Sequence, residues 1–172
     1  MSTGVVIRLE VPTAAEMRAL GGRLAGLLRR GDLVVLTGDL GAGKTTLTQG
    51  LGAALGVRGR ICSPTFVISR VHPSEVGGPA LVHADTYRMA DAAEVADLDL
   101  DESMPDSVTV VEWGAGLVEA LSTDRLELVL SRRAERPVDA DPDDPSAAIR
   151  EVSITAVGAR WAGVELTAAL LP

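Results

Sequence analysis

A chain of 172 residues with 47% hydrophobic content is long enough to bury the core of one α/β domain. Its net charge of −8 argues against a broad surface for phosphate backbones, so DNA binding is not expected and the chain is a poor candidate to grip RNA except through a partner. Cys62 is the only cysteine, which excludes an intrachain disulfide or a Cys-based metal cluster. The absence of a long apolar run or a basic leader points to a soluble, cytoplasmic protein without a membrane span.

Val5 to Val11 alternates loosely and predicts a first strand. Thr13-Ala14-Ala15-Glu16 forms a capping box for a helix running to Arg30 and stopping at Gly31. Leu33 to Thr37, β-branched at three positions, predicts a buried strand. It leads into Gly38-Asp39-Leu40-Gly41-Ala42-Gly43-Lys44-Thr45. The next helix places Leu47, Leu51 and Leu55 on one face and ends at Gly56, although Gly50 and Gly52 weaken it.

Further strands are expected at Phe66–Val71, Leu81–Asp85 and Val108–Glu112, with a hairpin-like loop from Pro73 to Pro79. Helices are expected at Ala90–Leu98, Ala115–Leu121 and Trp161–Leu170. Two strands in succession, Leu126–Leu130 and Val152–Ala156, carry period-2 patterning and predict an antiparallel pair. The acidic, proline-rich stretch between them, about 134–147, reads as a mobile loop rather than a catalytic cluster. The expected architecture is one domain over 1–172, three-layered α/β, with a mostly parallel sheet and antiparallel C-terminal strands. Cys62 is expected to be a small buried filler.

The segment from Gly38 to Thr45 matches G-x-x-x-x-G-K-[ST] in full, between a strand and a helix as that motif requires. Glycines let successive N–H groups curl around an anion, and the helix directs its positive dipole end at the same phosphates. Lys44 is the only lysine in a chain whose other cationic side chains are arginine. A compact, flexible ammonium fits between phosphates where a planar fork does not. The motif predicts nucleoside triphosphate binding, with Lys44 on the β- and γ-phosphates and the Thr45 hydroxyl on Mg²⁺.

Asp85 and Glu112 each end a predicted strand, where open α/β sheets bind ligands. Either could orient Mg²⁺ and either could activate water, and spacing does not choose between them. The four aromatics are Phe66, Tyr87, Trp113 and Trp161. Phe66 and Tyr87 read as packing near strand ends, Trp113 as balanced between packing and a place beside the nucleotide, and His83 as a hydrogen-bonded core histidine.

Taken in series, Gly38 to Thr46, Ser63-Pro64-Thr65-Phe66, His83-Ala84-Asp85-Thr86-Tyr87-Arg88 and Glu112-Trp113 resemble the TsaE (formerly YjeE) family. That family is the small ATPase of the bacterial machinery that makes N6-threonylcarbamoyladenosine at position 37 of ANN-decoding tRNAs. The resemblance implies a P-loop ATPase acting with TsaB and TsaD, slow alone and activated in the complex. It implies that Asp39, Leu40, Gly41, Ala42, Gly43, Lys44, Thr45 and Thr46 wrap the phosphates. Thr45 and Glu112 would hold Mg²⁺, Asp85 would fill a Walker-B-like place, and Trp113 would lie close to the nucleotide. It further implies that Ser63-Pro64-Thr65 approaches the γ-phosphate and that residues near Thr13 meet the nucleoside. Phe66 and Thr86 depart from the family's commoner Tyr and Leu, and the acidic loop is unusual for it.

Two other classes fit a P-loop. A small-molecule kinase needs an Arg-bearing lid, for which Arg132, Arg133 and Arg136 are the candidates, but these follow a strand rather than lie in a helix. A guanine-specific switch uses an Asn-Lys-x-Asp block, and this chain has no Asn.

Overall fold

The computed structural model describes residues 4–133 and 148–172. The acidic loop expected at about 134–147 lies outside the described residues. Seven strands form one sheet in the order β1-β7-β6-β2-β5-β4-β3. They are β1 (Val6–Val11), β2 (Leu33–Thr37), β3 (Ser69–His72), β4 (Ala80–Asp85), β5 (Ser107–Glu112), β6 (Arg125–Arg132) and β7 (Arg150–Val157). The central four, β6, β2, β5 and β4, pair in parallel. As expected, β6 and β7 pair antiparallel, but antiparallel pairing is not confined to the C-terminal part, because β3 folds back on β4 as a hairpin.

Strand alternation divides the core between two faces. Val34 and Leu36 of β2 pack with the helices α1 (Ala14–Ala25), α2 (Lys44–Leu55) and α5 (Leu166–Leu170). Leu33 and Val35 face the other way, toward Val95 of α3 (Ala92–Ala96), Leu100 of α4 (Leu100–Ser103), Met104 and Val118. This is the expected three-layer fold, with aliphatic side chains filling both interfaces. Among the described residues, no helix is long and apolar enough to cross a membrane.

Several local expectations are corrected. Helix α1 stops at Ala25 instead of Arg30, because Gly26 caps it and the Asp32 carboxylate takes the Arg29 N–H at 2.8 Å. Phe66 to Ile68 is a turn, with the Val67 and Ile68 N–H groups both on the Pro64 carbonyl, so the strand begins only at Ser69. Asp91 caps a helix of just Ala92–Ala96. Residues 115–121 form turns ending in a 3-10 turn at Glu119–Leu121, with Gly116 at φ +82°. The last expected helix is broken by Gly163 at φ +77° into a 3-10 turn at Ala159–Trp161 and α5. In each case backbone chemistry at a Pro, Gly or Asp overrides side-chain patterning. Cys62 is half-buried rather than buried.

Gly50 has a reason that helix propensity hides. Helices α1 and α2 touch backbone to backbone: a Cβ on Gly50 would overlap the Arg18 carbonyl group, and one on Gly21 would overlap the Leu47 carbonyl. In an isolated helix Gly→Ala is favourable by about 1 kcal/mol. At Gly50 overpacking reverses the sign, so Gly50→Ala should destabilise the fold by about 1–3 kcal/mol. Gly22, in the same helix pair, would meet only the Ala54 Cβ at 3.9 Å. Gly22→Ala should therefore leave stability unchanged or raise it by about 0.5–1 kcal/mol. Urea unfolding of both variants checks the contrast, and equal effects at the two positions would refute close helix contact.

Candidate active site

Three parallel strands deliver the functional groups to one sheet edge. β2 ends at Thr37 and enters the phosphate loop, while β5 and β4 end at Glu112 and Asp85, which stand side by side in register. Gly41 (φ +77°) and Gly43 (φ +110°) adopt left-handed backbone that a side chain would strain. Gly43 precedes α2 without any side-chain cap, so the first-turn N–H groups of α2 have no intrahelical acceptor. They open on a cavity of about 540 Å³.

Asp39, Leu40, Gly41, Gly43, Lys44, Thr45, Thr46, Asp85, Glu112 and Trp113 all line that cavity. Ala42 does not, and is buried beneath the loop. Thr13 caps α1 through the Glu16 N–H and also donates to the Glu16 carboxylate at 2.9 Å; its neighbour Ala14 and Met17 form that wall of the cavity instead.

The Lys44 ammonium donates to the Gly38 carbonyl and, at 3.1 Å, to the Asp39 carbonyl. It also lies 4.9 Å from the centre of the Trp113 ring. Burial lowers its pKa from the ordinary lysine value, with Glu112, Asp85 and Asp39 pulling it back up. Trp113 is held in a left-handed conformation (φ +62°) by its N–H bond to the Leu36 carbonyl at 2.7 Å, and its ring packs against Tyr87 at 5.3 Å.

The two carboxylates are held differently. Asp85 accepts from the Thr65 hydroxyl at 2.9 Å and from the Tyr87 N–H at 2.8 Å, one bond to each oxygen. Glu112 is 3% exposed and has Oε1 2.9 Å from His83 Nε2. His83 is fully buried, a hydrogen-bonded core histidine as expected, but its partner is the carboxylate at the site. Two expectations fail here. Phe66 and Tyr87 are 85% and 64% exposed, not packed in the core; Arg88 stacks over Phe66 at 5.3 Å.

Arg132 ends a strand and donates to the Gly41 carbonyl, and Arg133 pairs with Glu10; neither belongs to a helical lid. Arg136 lies outside the described residues. Sequence reasoning missed Arg150, which lines the cavity from the start of β7; nothing in its neighbourhood along the chain marks it. Among the described residues no three His, Cys, Asp or Glu side chains gather into a metal-binding group. The oxygen donors lining the cavity include the Thr45 hydroxyl and the two strand-end carboxylates, with Asp39, Ser63 and Thr65 also on its wall.

Comparison with known proteins agrees with this geometry. Residues 11–138 match the family model for "Threonylcarbamoyl adenosine biosynthesis protein TsaE". The chain is 57% identical over 152 residues to the tRNA threonylcarbamoyladenosine biosynthesis protein TsaE of Streptomyces coelicolor, covering 88% of this chain and 97% of the relative. It is 39% identical over 147 residues to the Bacillus subtilis protein of the same name, covering 85% and 83%. The crystal structure of Bacillus YdiB superposes with a TM-score of 0.74 at 29% identity, covering 99% of this chain and 97% of that one. With a family model spanning most of its length and a relative identical at more than half of the aligned positions, the chain belongs to the TsaE family.

Proposed function

We propose that this chain is the Mg²⁺-dependent ATPase of the tRNA N6-threonylcarbamoyladenosine machinery, acting with TsaB and TsaD and reaching tRNA only through that complex. The observation that carries the ATPase reading is the uncapped phosphate loop and two strand-end carboxylates lining one cavity together with Lys44. The TsaE names of the relatives support the pathway. A helical, Arg-bearing kinase lid has no counterpart in Arg132 and Arg133, so the small-molecule kinase is not favoured.

The donor set fits Mg²⁺, which binds through one or two carboxylates plus substrate phosphates rather than in an all-protein cage. Thr45 and Glu112 would hold it, with Asp85 supporting from the next strand. When bound, the ion would neutralise charge on the β- and γ-phosphates. The loop N–H groups and the dipole of α2 would bind the phosphates. Lys44 would leave the Gly38 and Asp39 carbonyls and place its charge against the β- and γ-oxygens, where charge grows as the terminal bond breaks. Whichever of Asp85 and Glu112 is not engaged with the ion would orient the attacking water. Ser63 and Thr65 line the cavity, and Thr65 is already bonded to Asp85, which suits the γ-phosphate end.

Lys44→Ala should lower ATP turnover by about a hundredfold or more, because a charge on the developing phosphate is lost in a site shielded from water. Colorimetric phosphate release measures it, and near-normal turnover would sink the phosphate-loop reading. Glu112→Ala should raise the Mg²⁺ requirement and cut turnover about a hundredfold while metal-free ATP binding persists. Normal hydrolysis by Glu112→Ala alongside inactive Asp85→Ala would exchange the two assignments. Reconstitution with the cognate TsaB–TsaD pair tests the pathway: the complex should hydrolyse ATP faster than this chain alone, and multiple-turnover tRNA modification should require intact Lys44. Full-speed modification without the protein would remove that role.

A further inference from the structure

Basic side chains are unevenly placed along this acidic chain. Between Asp39 and Glu75 there is no acidic residue, while Arg58, Arg60 and Arg70 all fall there. The fold brings these three arginines to one groove of about 460 Å³, between the edge strand β3 and the segment that follows α2, with Val67 and Val71 also on its walls. All five residues are exposed. Arg58 pairs with Glu75 across the surface, whereas the side chains of Arg60 and Arg70 make no ion pair or hydrogen bond among the described residues.

The backbone of β3 adds a second feature. The Asp85 N–H donates to the Ile68 carbonyl at 2.8 Å, so alternation turns the backbone groups of Arg70 and His72 toward β4 and those of Val71 away from it. The chain itself starts a further row on that outer side: Val57 bridges Ser74 antiparallel, and the Arg58 N–H takes the Pro73 carbonyl at 2.8 Å. Gly59, at φ +90°, then carries the chain off, and among the described residues no bond reaches the outward N–H and carbonyl of Val71. An edge strand with such a donor and acceptor is a template for one more strand. RNA fits less well, because a phosphate can take the N–H but has nothing to give the carbonyl, and no aromatic ring lines the groove for a base to stack on. Pairing with the β3 of a second copy is disfavoured too, since it sets arginines of both copies side by side.

We propose that the β3 edge is a docking site for an acidic, extended segment of a partner protein, which adds as a strand beside Val71 and sets its carboxylates against Arg60 and Arg70. Main-chain bonds supply attachment, Val67 and Val71 meet apolar side chains of the segment, and the guanidinium forks select acidic ones. β3 lies three strands from β2, so this assignment stands apart from the triphosphate reading. The competing role is protective, in which the arginines only keep the edge from pairing with other chains. That role predicts no bound strand of either charge.

Fluorescence anisotropy of the full chain with a labelled peptide of alternating Glu and Val tests the proposal, with a Lys–Val peptide and a short oligouridylate as controls. The Glu–Val peptide should bind saturably and the Lys–Val peptide should not. The double variant Arg60→Glu/Arg70→Glu should raise the Kd about tenfold or more. Val71→Pro removes the outward N–H at a position where an edge strand tolerates proline, and should weaken binding similarly with both arginines in place. A readout on the unaltered chain is amide hydrogen exchange, in which saturating Glu–Val peptide should slow Val71 about tenfold or more and leave β1 unchanged. No binding of the Glu–Val peptide, equal affinity for the Lys–Val peptide, or undiminished Val71 exchange at saturation would overturn the proposal. Tighter binding of oligouridylate would make this an RNA surface, and Val71 protection that grows with protein concentration alone would make it a contact between copies; either result overturns the acidic-segment assignment.

Discussion

The site depends on parallel pairing in register. Because β2, β5 and β4 run the same way, their carboxyl ends come out at one edge, and pairing sets Leu36 beside Glu112 and Glu112 beside Asp85. The phosphate loop and both carboxylates then follow from where a strand stops. An antiparallel arrangement of the same segments would send one carboxylate to the opposite end of the sheet. Parallel strands need crossovers, and here they are covered by helices on both faces, which explains why β2 is aliphatic and buried from Leu33 to Leu36.

The second governing relation is charge at close quarters. Asp39, Asp85 and Glu112 share a cavity with Lys44 and Arg150. Burial lowers the Lys44 pKa and the three carboxylates pull it back up, so the charge of the ammonium is balanced against its surroundings. The ammonium rests on loop carbonyls and the Trp113 face, which supply partial negative charge without a fixed anion. Such contacts are weak enough to be exchanged for phosphate oxygens. Trp113 in turn is set by a left-handed backbone and a hydrogen bond to β2, and its ring packs against Tyr87.

The carboxylates are positioned by groups that would not be picked out as chemical. His83 sits one strand over, buried and bonded to Glu112, while Thr65 and the Tyr87 N–H fix both oxygens of Asp85. Thr65 connects Asp85 to a turn that carries exposed Phe66 and the left-handed Ile68. Movement of that turn is thus mechanically tied to one carboxylate of the site.

Much of this protein was legible along the chain. The phosphate loop, Thr45, and the acids Asp85 and Glu112 are all local signals, since a loop's glycines and a strand's last residue can be recognised without knowing their neighbours. The three-layer fold was legible too, because aliphatic strands and helical stripes repeat at their own periods. Tertiary structure decided the rest. Gly50 looks like a weak point in a helix until α1 is seen lying against it, and Phe66 looks like core until the Pro64 turn lifts it into solvent. The partner of His83 and the arrival of Arg150 at Gly41 depend on residues 29 and 109 positions away. No local pattern encodes such a meeting; it exists only once strand order and register have been fixed.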